Sequence, residues 1–472
     1  MACLISYPKR TGNFRGGFVN SFQNWYKTHE SEILEEYFQF LRFPTVGTKS
    51  KHHQDMQDCA KWLISRLESM GFKAEKWDFP HGQPSVFGEY IVDPSLPTIL
   101  FYQHYDVQPE DPVNLWQTPA FEPTVRNGKV YARGAEDNKG QCHYTLTAIK
   151  AFLHHKEATK CNIKILIDGE EESGSTSLMK HGHLYKDRLK ADHLLIVDMG
   201  IGTFEAPHVC IGCRGIVSLE AEVVVSNIDM HSGEHGGIAA NPIHVLAKAL
   251  SSIHDENGQV VIEGFYDHVK SLSEDEKKQF DLAFDSSSYQ KEFGVRLFAQ
   301  KGVHPKEANM LRPVLEVNGM WGGYTEEGFK TVLPAKASCK ISCRLVPGQD
   351  PQRIFTLVKD FLRKKIPQEV ELNVKEHGHG LAYRASTKSS LAESVKRAYE
   401  KTFGKPCLFY TSGGSIPVAT TLIQLSGAEC VFPGVGFIDN NIHAPNEWFG
   451  LDQHKKGFEM VCAILEDISS LQ

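Results

Sequence analysis

The pattern of apolar and polar positions divides this 472-residue chain into two textures. In the first, short apolar runs alternate with helical spacings. Pro97 opens the run Thr-Ile-Leu-Phe-Tyr-Gln103, which reads as a buried strand delivering His104 to its C-terminal end. Ile163, Ile165 and Ile167 alternate in a strand that ends at Asp168, and residues 194–197 form another that ends at Asp198. Met56, Cys59, Ala60, Leu63, Leu67 and Met70 recur at helical spacing until Gly71 stops them, and residues 140–155 read as a second helix. Short strands are expected around 73–79 and 86–92, a surface loop over 108–121, and an irregular arm up to about Asn24. Strands separated by helices imply a mostly parallel sheet.

The second texture begins near residue 213. Val217, Leu219, Ala221, Val223 and Val225 alternate, mostly with polar residues, as in a half-exposed strand of an antiparallel sheet. A helix follows over 242–253 with Pro242 at its start, then helix and loop over 261–310, strands at 314–317 and 336–346, and a helix at 351–364. From about Ala385 the first texture returns: a helix at 391–403, a glycine-rich loop at 412–415, a helix at 417–425, a strand at 430–432, a loop with His443 and a final helix. The expected fold class is α/β. A mostly parallel-sheet domain, residues 1–212 and 385–472, is interrupted by an α+β two-layer domain over 213–384.

Composition narrows the function. With 51 Lys+Arg against 58 Asp+Glu the net charge is −7, so no basic surface calls for nucleic acid. No apolar run reaches ~18 residues, so no membrane span is expected. At the N-terminus the basic residues follow the apolar patch, the wrong order for a secretory signal. Eleven scattered cysteines, an odd number, suggest reduced thiols and a cytoplasmic setting. Cys210-x-x-Cys213 with Cys339-x-x-x-Cys343 has the spacing of a zinc ribbon. However, Cys339 and Cys343 share an apolar strand face with Ala337, Ile341 and Leu345 and read as small core residues.

The chemistry gathers at the strand ends, where open α/β sheets build their sites. Asp106 follows His104 by two residues, placed to orient the imidazole through its second nitrogen. Asp137, Asp168, Glu171, Glu172, Asp198 and His443 add carboxylates and a second imidazole, with no thiolate among them. Such a set suits two Zn²⁺ ions, or Mn²⁺ or Co²⁺, sharing a bridge. A two-metal site makes a water acidic and polarises a carbonyl, and a further carboxylate must then move the proton. Taken alone, Glu170-Glu171-Glu172 is a solvated acidic loop. Beside the other motifs it offers a ligand and a base on adjacent residues that point in different directions.

In order, His104-x-Asp106, Arg133-Gly-Ala-x-Asp137-x-Lys-Gly140, Gly169-Glu-Glu171-Glu172-Ser-Gly-Ser175, Asp198 and His443 resemble the signature of the dinuclear zinc metallopeptidases. That family includes carnosinase, the cytosolic nonspecific dipeptidases, glutamate carboxypeptidase and aminoacylase, and the resemblance runs from about residue 30 to the end. It implies that His104, Asp137 and Asp198 hold one metal, that Asp137, Glu172 and His443 hold the other, and that Asp137 bridges them. It makes Glu171 the general base and acid, Asp106 the orienter of His104, and Asp137–Asn138 a cis peptide. It implies an inserted lid that pairs two subunits, hence a homodimer.

Several stretches are similar to the dipeptidase branch. Asp229-Met-His231-Ser-Gly resembles a lid motif whose histidine reaches across the dimer to the oxyanion. Thr331-Val-Leu-Pro-Ala-Lys and Arg344-Leu-Val-Pro resemble the segment whose arginine takes the substrate's C-terminal carboxylate. Gly413-Gly414-Ser415-Ile416-Pro417 resembles the turn that adds contacts to that carboxylate, and His379 lies where a lid histidine meets substrate. One residue departs from the pattern. The dipeptidases near carnosinase place an acid before the Gly-Gly-Ser turn, facing the substrate's free amine, and here Ser412 stands there. The expected activity is hydrolysis of dipeptides or short C-terminal peptide bonds. The alternatives are an amidohydrolase of N-acyl amino acids with the same metal chemistry, and a non-catalytic binding protein, which would usually lack some ligands or the base.

Overall fold

The structure is a computed structural model and describes residues 17–155, 159–297, 300–414 and 416–470. Its main sheet has six strands in the order Lys73–Trp77, Ser85–Tyr90, Asn162–Asp168, Thr98–His104, His193–Ile196 and Glu429–Val431. The last four are mutually parallel, and the first two add an antiparallel edge. Side-chain alternation assigns each strand residue to one of two cores. Ile99, Phe101, Ile163, Ile165, Ile167 and Leu195 pack with the helices Lys139–His154 and Leu451–Ser469, through Cys142, Leu146, Phe458 and Val461. Leu100, Tyr102, Leu166, Leu194 and Ile196 face the other way, onto Trp77, Leu178, Val418 and Leu422. Each fully buried aliphatic side chain contributes ~1.5–3 kcal/mol. A one-residue slip of a central strand would exchange its two faces, so the register is strongly specified.

Register places the polar residues. His104 pairs directly with Asp168, so the two central strands end flush. Tyr102 pairs with Ile196, which leaves Asp198 two residues beyond the next strand end.

The chain between 213 and 384 forms a four-stranded antiparallel sheet in the order Val314–Gly322, Lys336–Leu345, Gly215–Val224 and Glu371–Gly380. Val217, Leu219, Ala221, Val223, Ala337, Cys339, Ile341 and Cys343 form a separate core with Leu246, Val358 and Leu362 of the helices Pro242–Ser251 and Pro351–Lys365. Asn241 and Asp350 cap those helices by accepting backbone N–H bonds, and proline opens each.

Four differences from the sequence reading have physical causes. The irregular arm expected to about Asn24 is helical from Gly17, in the helix Gly17–Leu41. Its buried face is largely aromatic (Phe22, Tyr26, Tyr37, Phe40), residues of modest helix propensity that tertiary packing holds in place. The strand expected at 314–317 continues to Gly322 past an irregularity at Gly319. Glu371–Gly380, absent from the expected β–α–β–β–α order, is an edge strand with only Leu372 and Val374 turned to the core. Leu408–Ser412 is a further strand, in a small sheet with His208–Cys213 and Tyr383–Arg384.

Candidate metal centre and active site

Two groups of side chains converge beyond the strand ends, and Asp137 belongs to both. His104, Asp137 and Asp198 form one group, and Asp137, Glu172 and His443 the other, with the donor atoms of each within 4.8 Å of one another. His104 Nε2 lies 3.2 Å from Asp137 Oδ1 and 3.6 Å from Asp198 Oδ1. His443 Nε2 lies 2.9 Å from Asp137 Oδ2 and 3.2 Å from Glu172 Oε2. Two ligands each ~2.1 Å from one tetrahedral ion stand ~3.4 Å apart, so these separations suit shared cations. His104 Nε2 is buried with no hydrogen-bond partner among the described residues, which is what a lone pair awaiting a cation leaves behind. The donor set therefore fits divalent metal.

Asp106 does more than orient an imidazole. His104 Nδ1 is 3.1 Å from the Asp106 carbonyl and 3.4 Å from its carboxylate. The carboxylate oxygens accept hydrogen bonds from the backbone N–H of Glu171 and of Glu172, both at 3.1 Å. One buried side chain thus ties the His104 strand to the Glu171–Glu172 turn. Gln108 donates to Glu172 Oε2 at 2.8 Å, and Asn138 Nδ2 donates to Asp198 Oδ1 at 2.6 Å. The Asp137–Asn138 peptide bond is cis, as the resemblance implies.

The sequence reading missed Glu447. Its buried carboxylate accepts from Arg133 Nη1 and Gly134 N, both at 2.8 Å, from Glu136 N at 2.9 Å and from Asp137 N at 3.1 Å. All four partners are donors, so it serves as an ionised cradle for the segment that delivers Asp137. The only sequence signal was an acid four residues after His443.

The electrostatics follow from five carboxylates around two imidazoles. Burial, with Asp198, Asp137 and Asp106 nearby, pushes Glu171 up to about 8 despite the opposing pull of His104. Burial also raises Asp198. It would raise Asp137 as well, but the imidazoles of His104 and His443, whose Nε2 atoms face its two oxygens, outweigh burial and hold that carboxyl well below its usual range. Asp137 and Glu172 lift His443 to about 10. A proton there occupies the position a cation would take.

The remaining predicted residues lie in or beside the inserted sheet. His231 is exposed, pairs with Val332 in a short ladder, and accepts the Gly233 N–H at Nδ1. Thr331 is next to it, its carbonyl accepting from Ser232 N. Among the described residues neither bonds to the carboxylate cluster. Arg344 and Gly380 both pair with Ile216, and His379 with Val217, so Arg344 and His379 flank one strand. The exposed His379 ring meets Glu376 Oε1 at 2.6 Å. Gly414 lies in a turn closed by its N–H onto Ser412 Oγ at 3.2 Å. Ser415 lies outside the described residues.

A match to the family described as Peptidase family M20/M25/M40 spans residues 100–467 and takes in every one of these motifs. The chain belongs to this family. Its M20 fold, with mixed sheets and helices, and its character as a metallopeptidase follow from that membership. The chain is 29% identical to the Cys-Gly metallodipeptidase dug1 of Schizosaccharomyces pombe, across 94% of this chain and 96% of that one. It is 30% identical to the Beta-Ala-His dipeptidase of Homo sapiens, across 94% and 91%. The M20 family metallo-carboxypeptidase Sso-CP2 from Sulfolobus solfataricus superposes with a TM-score of 0.80 at 32% identity, over 93% of this chain and all of that structure. This M20 chain therefore sits among dipeptidases.

Proposed function

We propose that this M20 metallopeptidase hydrolyses dipeptides with two divalent ions per chain, Zn²⁺ foremost, working as a homodimer in the cytoplasm. The observation that carries the reading is Asp137, whose two oxygens face His104 and His443 from opposite sides of a shared carboxylate. The ten described cysteines are all unpaired and buried, which fits a reducing compartment, and no described helix is long and apolar enough to cross a membrane.

His104, Asp137 and Asp198 would hold one ion, and Asp137, Glu172 and His443 the other. Bound there, the ions supply Lewis acidity, polarising the scissile carbonyl and making a water acidic near neutral pH. Glu171 is the general base. Its raised affinity for a proton suits it to take one from water and to give one to the leaving nitrogen. Asp106 holds Glu171 and Glu172 at their backbone, so base and ligand keep a fixed separation. Arg344 takes the C-terminal carboxylate, with Gly414, Ser415, His379 and Thr331 lining the substrate. His231, reaching across the lid dimer, donates to the oxyanion. On this reading residues 1–212 and 385–472 form the catalytic unit and the inserted 213–384 serves as its lid.

The test is hydrolysis by Zn²⁺- or Mn²⁺-loaded protein of free dipeptides beside their N-acetylated counterparts. Cleavage of free dipeptides is expected. Cleavage of the acylated compounds alone would move the protein to N-acyl-amino-acid amidohydrolysis, for which Ser412 leaves room.

A further inference from the structure

Asn138 follows the shared ligand Asp137 and is wholly buried. Its Nδ2 donates to the Val197 carbonyl at 2.9 Å and to Asp198 Oδ1 at 2.6 Å. Its Oδ1 faces the His104 backbone N–H at 3.5 Å, the long end of a hydrogen bond. The Val197 carbonyl can only accept, which fixes the amide with its nitrogen towards Asp198. Asp198 Oδ1 has lone pairs for both that amide and an ion shared with His104 Nε2, 3.6 Å away. One side chain therefore ties the end of the strand Thr98–His104 to the residues just beyond His193–Ile196, and its own backbone carries Asp137. His104, Asp137 and Asp198 are the three members of one ligand group. Among the described residues, the Asn138 side chain makes no bond to Glu172 or His443 of the other.

The second group is built differently. Asp137 is common to both, so it does not distinguish them. Glu172 is braced from outside its group, by Gln108 at 2.8 Å. His443 is not: its side chain is 54% exposed, and among the described residues its ring meets only Asp137 and Glu172. The His104 side chain is wholly buried, and its second nitrogen faces the Asp106 carbonyl at 3.1 Å. A ligand already held by outer hydrogen bonds gives up little freedom when an ion binds, whereas a loose ring must be ordered at that moment.

We infer that Asn138 is a positioning residue that sets Asp198 and His104 about their ion, and that the chain therefore fills its two places in order: the His104 place first and tightly, the His443 place second and exchangeably. Buried as it is, Asn138 acts through those two ligands and not on substrate. The position calls for a neutral amide, because an aspartate there would set an oxygen against the Val197 carbonyl and a second charge against Asp198. The inference takes two ions per chain from the proposed function and does not depend on which peptide is cut.

The experiment titrates chelator-stripped protein with Zn²⁺ at fixed pH, in competition with a chromophoric chelator, and counts bound ions by elemental analysis. Wild type is expected to take up one ion about 10-fold or more tightly than the other. Asn138→Leu, which keeps the volume and loses the amide, should weaken the tight step by about 10- to 100-fold and leave the weak step unchanged. Asn138→Ala, which leaves room in place of a misfit, should do the same. His443→Ala should abolish the weak step and spare the tight one. Two equal steps in wild type overturn the inference whatever the variants do, and so does loss of the tight step in His443→Ala. Equal weakening of both steps by both Asn138 variants marks a residue that only supports the fold, and overturns it too. The readout is binding, so this inference and the dipeptidase reading fail separately. Unequal steps that the Asn138 variants narrow uphold it even if no peptide is cleaved, and equal steps overturn it even if dipeptides are.

Discussion

Replacing Glu447 by glutamine exchanges one oxygen for an NH₂ group and removes one charge from a site that offers four donors. Oε2 accepts from Arg133 Nη1 and Gly134 N, and Oε1 from Glu136 N and Asp137 N. Glutamine keeps one oxygen, so in either orientation two donors face an NH₂ group. A buried donor left without an acceptor costs ~1–3 kcal/mol, which gives ~2–6 kcal/mol for two. Approached from the ion pair, removing one member of a buried pair costs ~3–5 kcal/mol, because Arg133, itself 1% exposed, is stranded. The two routes count overlapping interactions, so the expected loss is ~4 kcal/mol, a large share of a typical ~5–15 kcal/mol stability. Asp137 is next to the disrupted bonds, so metal affinity should fall with stability. Equilibrium urea unfolding of the chelator-treated variant reads the first effect, and metal content after dialysis reads the second. A stability loss below ~1 kcal/mol with full metal retention would refute the claim that Glu447 holds the Asp137 segment.

Glu171→Gln should retain both metals while kcat falls by ~10²–10⁴-fold, and undiminished turnover in metal-replete protein would remove Glu171 from the base role. His104→Ala should leave one site empty, and elemental analysis finding two ions per chain would contradict the ligand assignment. In metal-free protein at pH 7, Glu171 at about 8 and His443 at about 10 both hold a proton that a cation must displace. Zinc uptake should therefore release protons and tighten as pH rises, measurable by calorimetry in buffers of different ionisation enthalpy. A heat independent of buffer would count against those protonation states. The same shift sets a sign for metal-free stability. The Glu171 contribution is complete below about 4.5, its ordinary value, and is lost as pH rises through about 8, so stability from this group declines across that window. A urea midpoint that climbs over the window would contradict it, since Asp137, held low, has its own pH dependence only below its ordinary value.

The sheet and the ligand cluster were legible because the central strands are apolar on both faces and each ends at a polar residue. His104, Asp168 and Asp198 therefore stand out at strand ends, and parallel register alone carries them to one edge. His443 was legible only through resemblance, since it sits in a loop with positive φ and no periodic pattern. The strand Glu371–Gly380 was hidden because an edge strand needs only two inward apolar residues, and its histidines and glycines mimic a loop. The helix Gly17–Leu41 was read too late because aromatic residues at its buried face carry little local helix signal. Glu447 and Asn138 act through contacts to segments 300 and 60 residues away, roughly, and sequence spacing has no means of showing such pairings.

The central claim is that a two-metal centre bridged by Asp137 cleaves dipeptides. The most direct test strips the protein with a chelator and titrates Zn²⁺ back while following amino acids released from a free dipeptide. The account predicts no turnover in stripped protein and a rise to a plateau at two equivalents per chain, with Asp137→Asn failing to recover at either. Full turnover after chelation, or an Asp137→Asn titration indistinguishable from wild type, would contradict it.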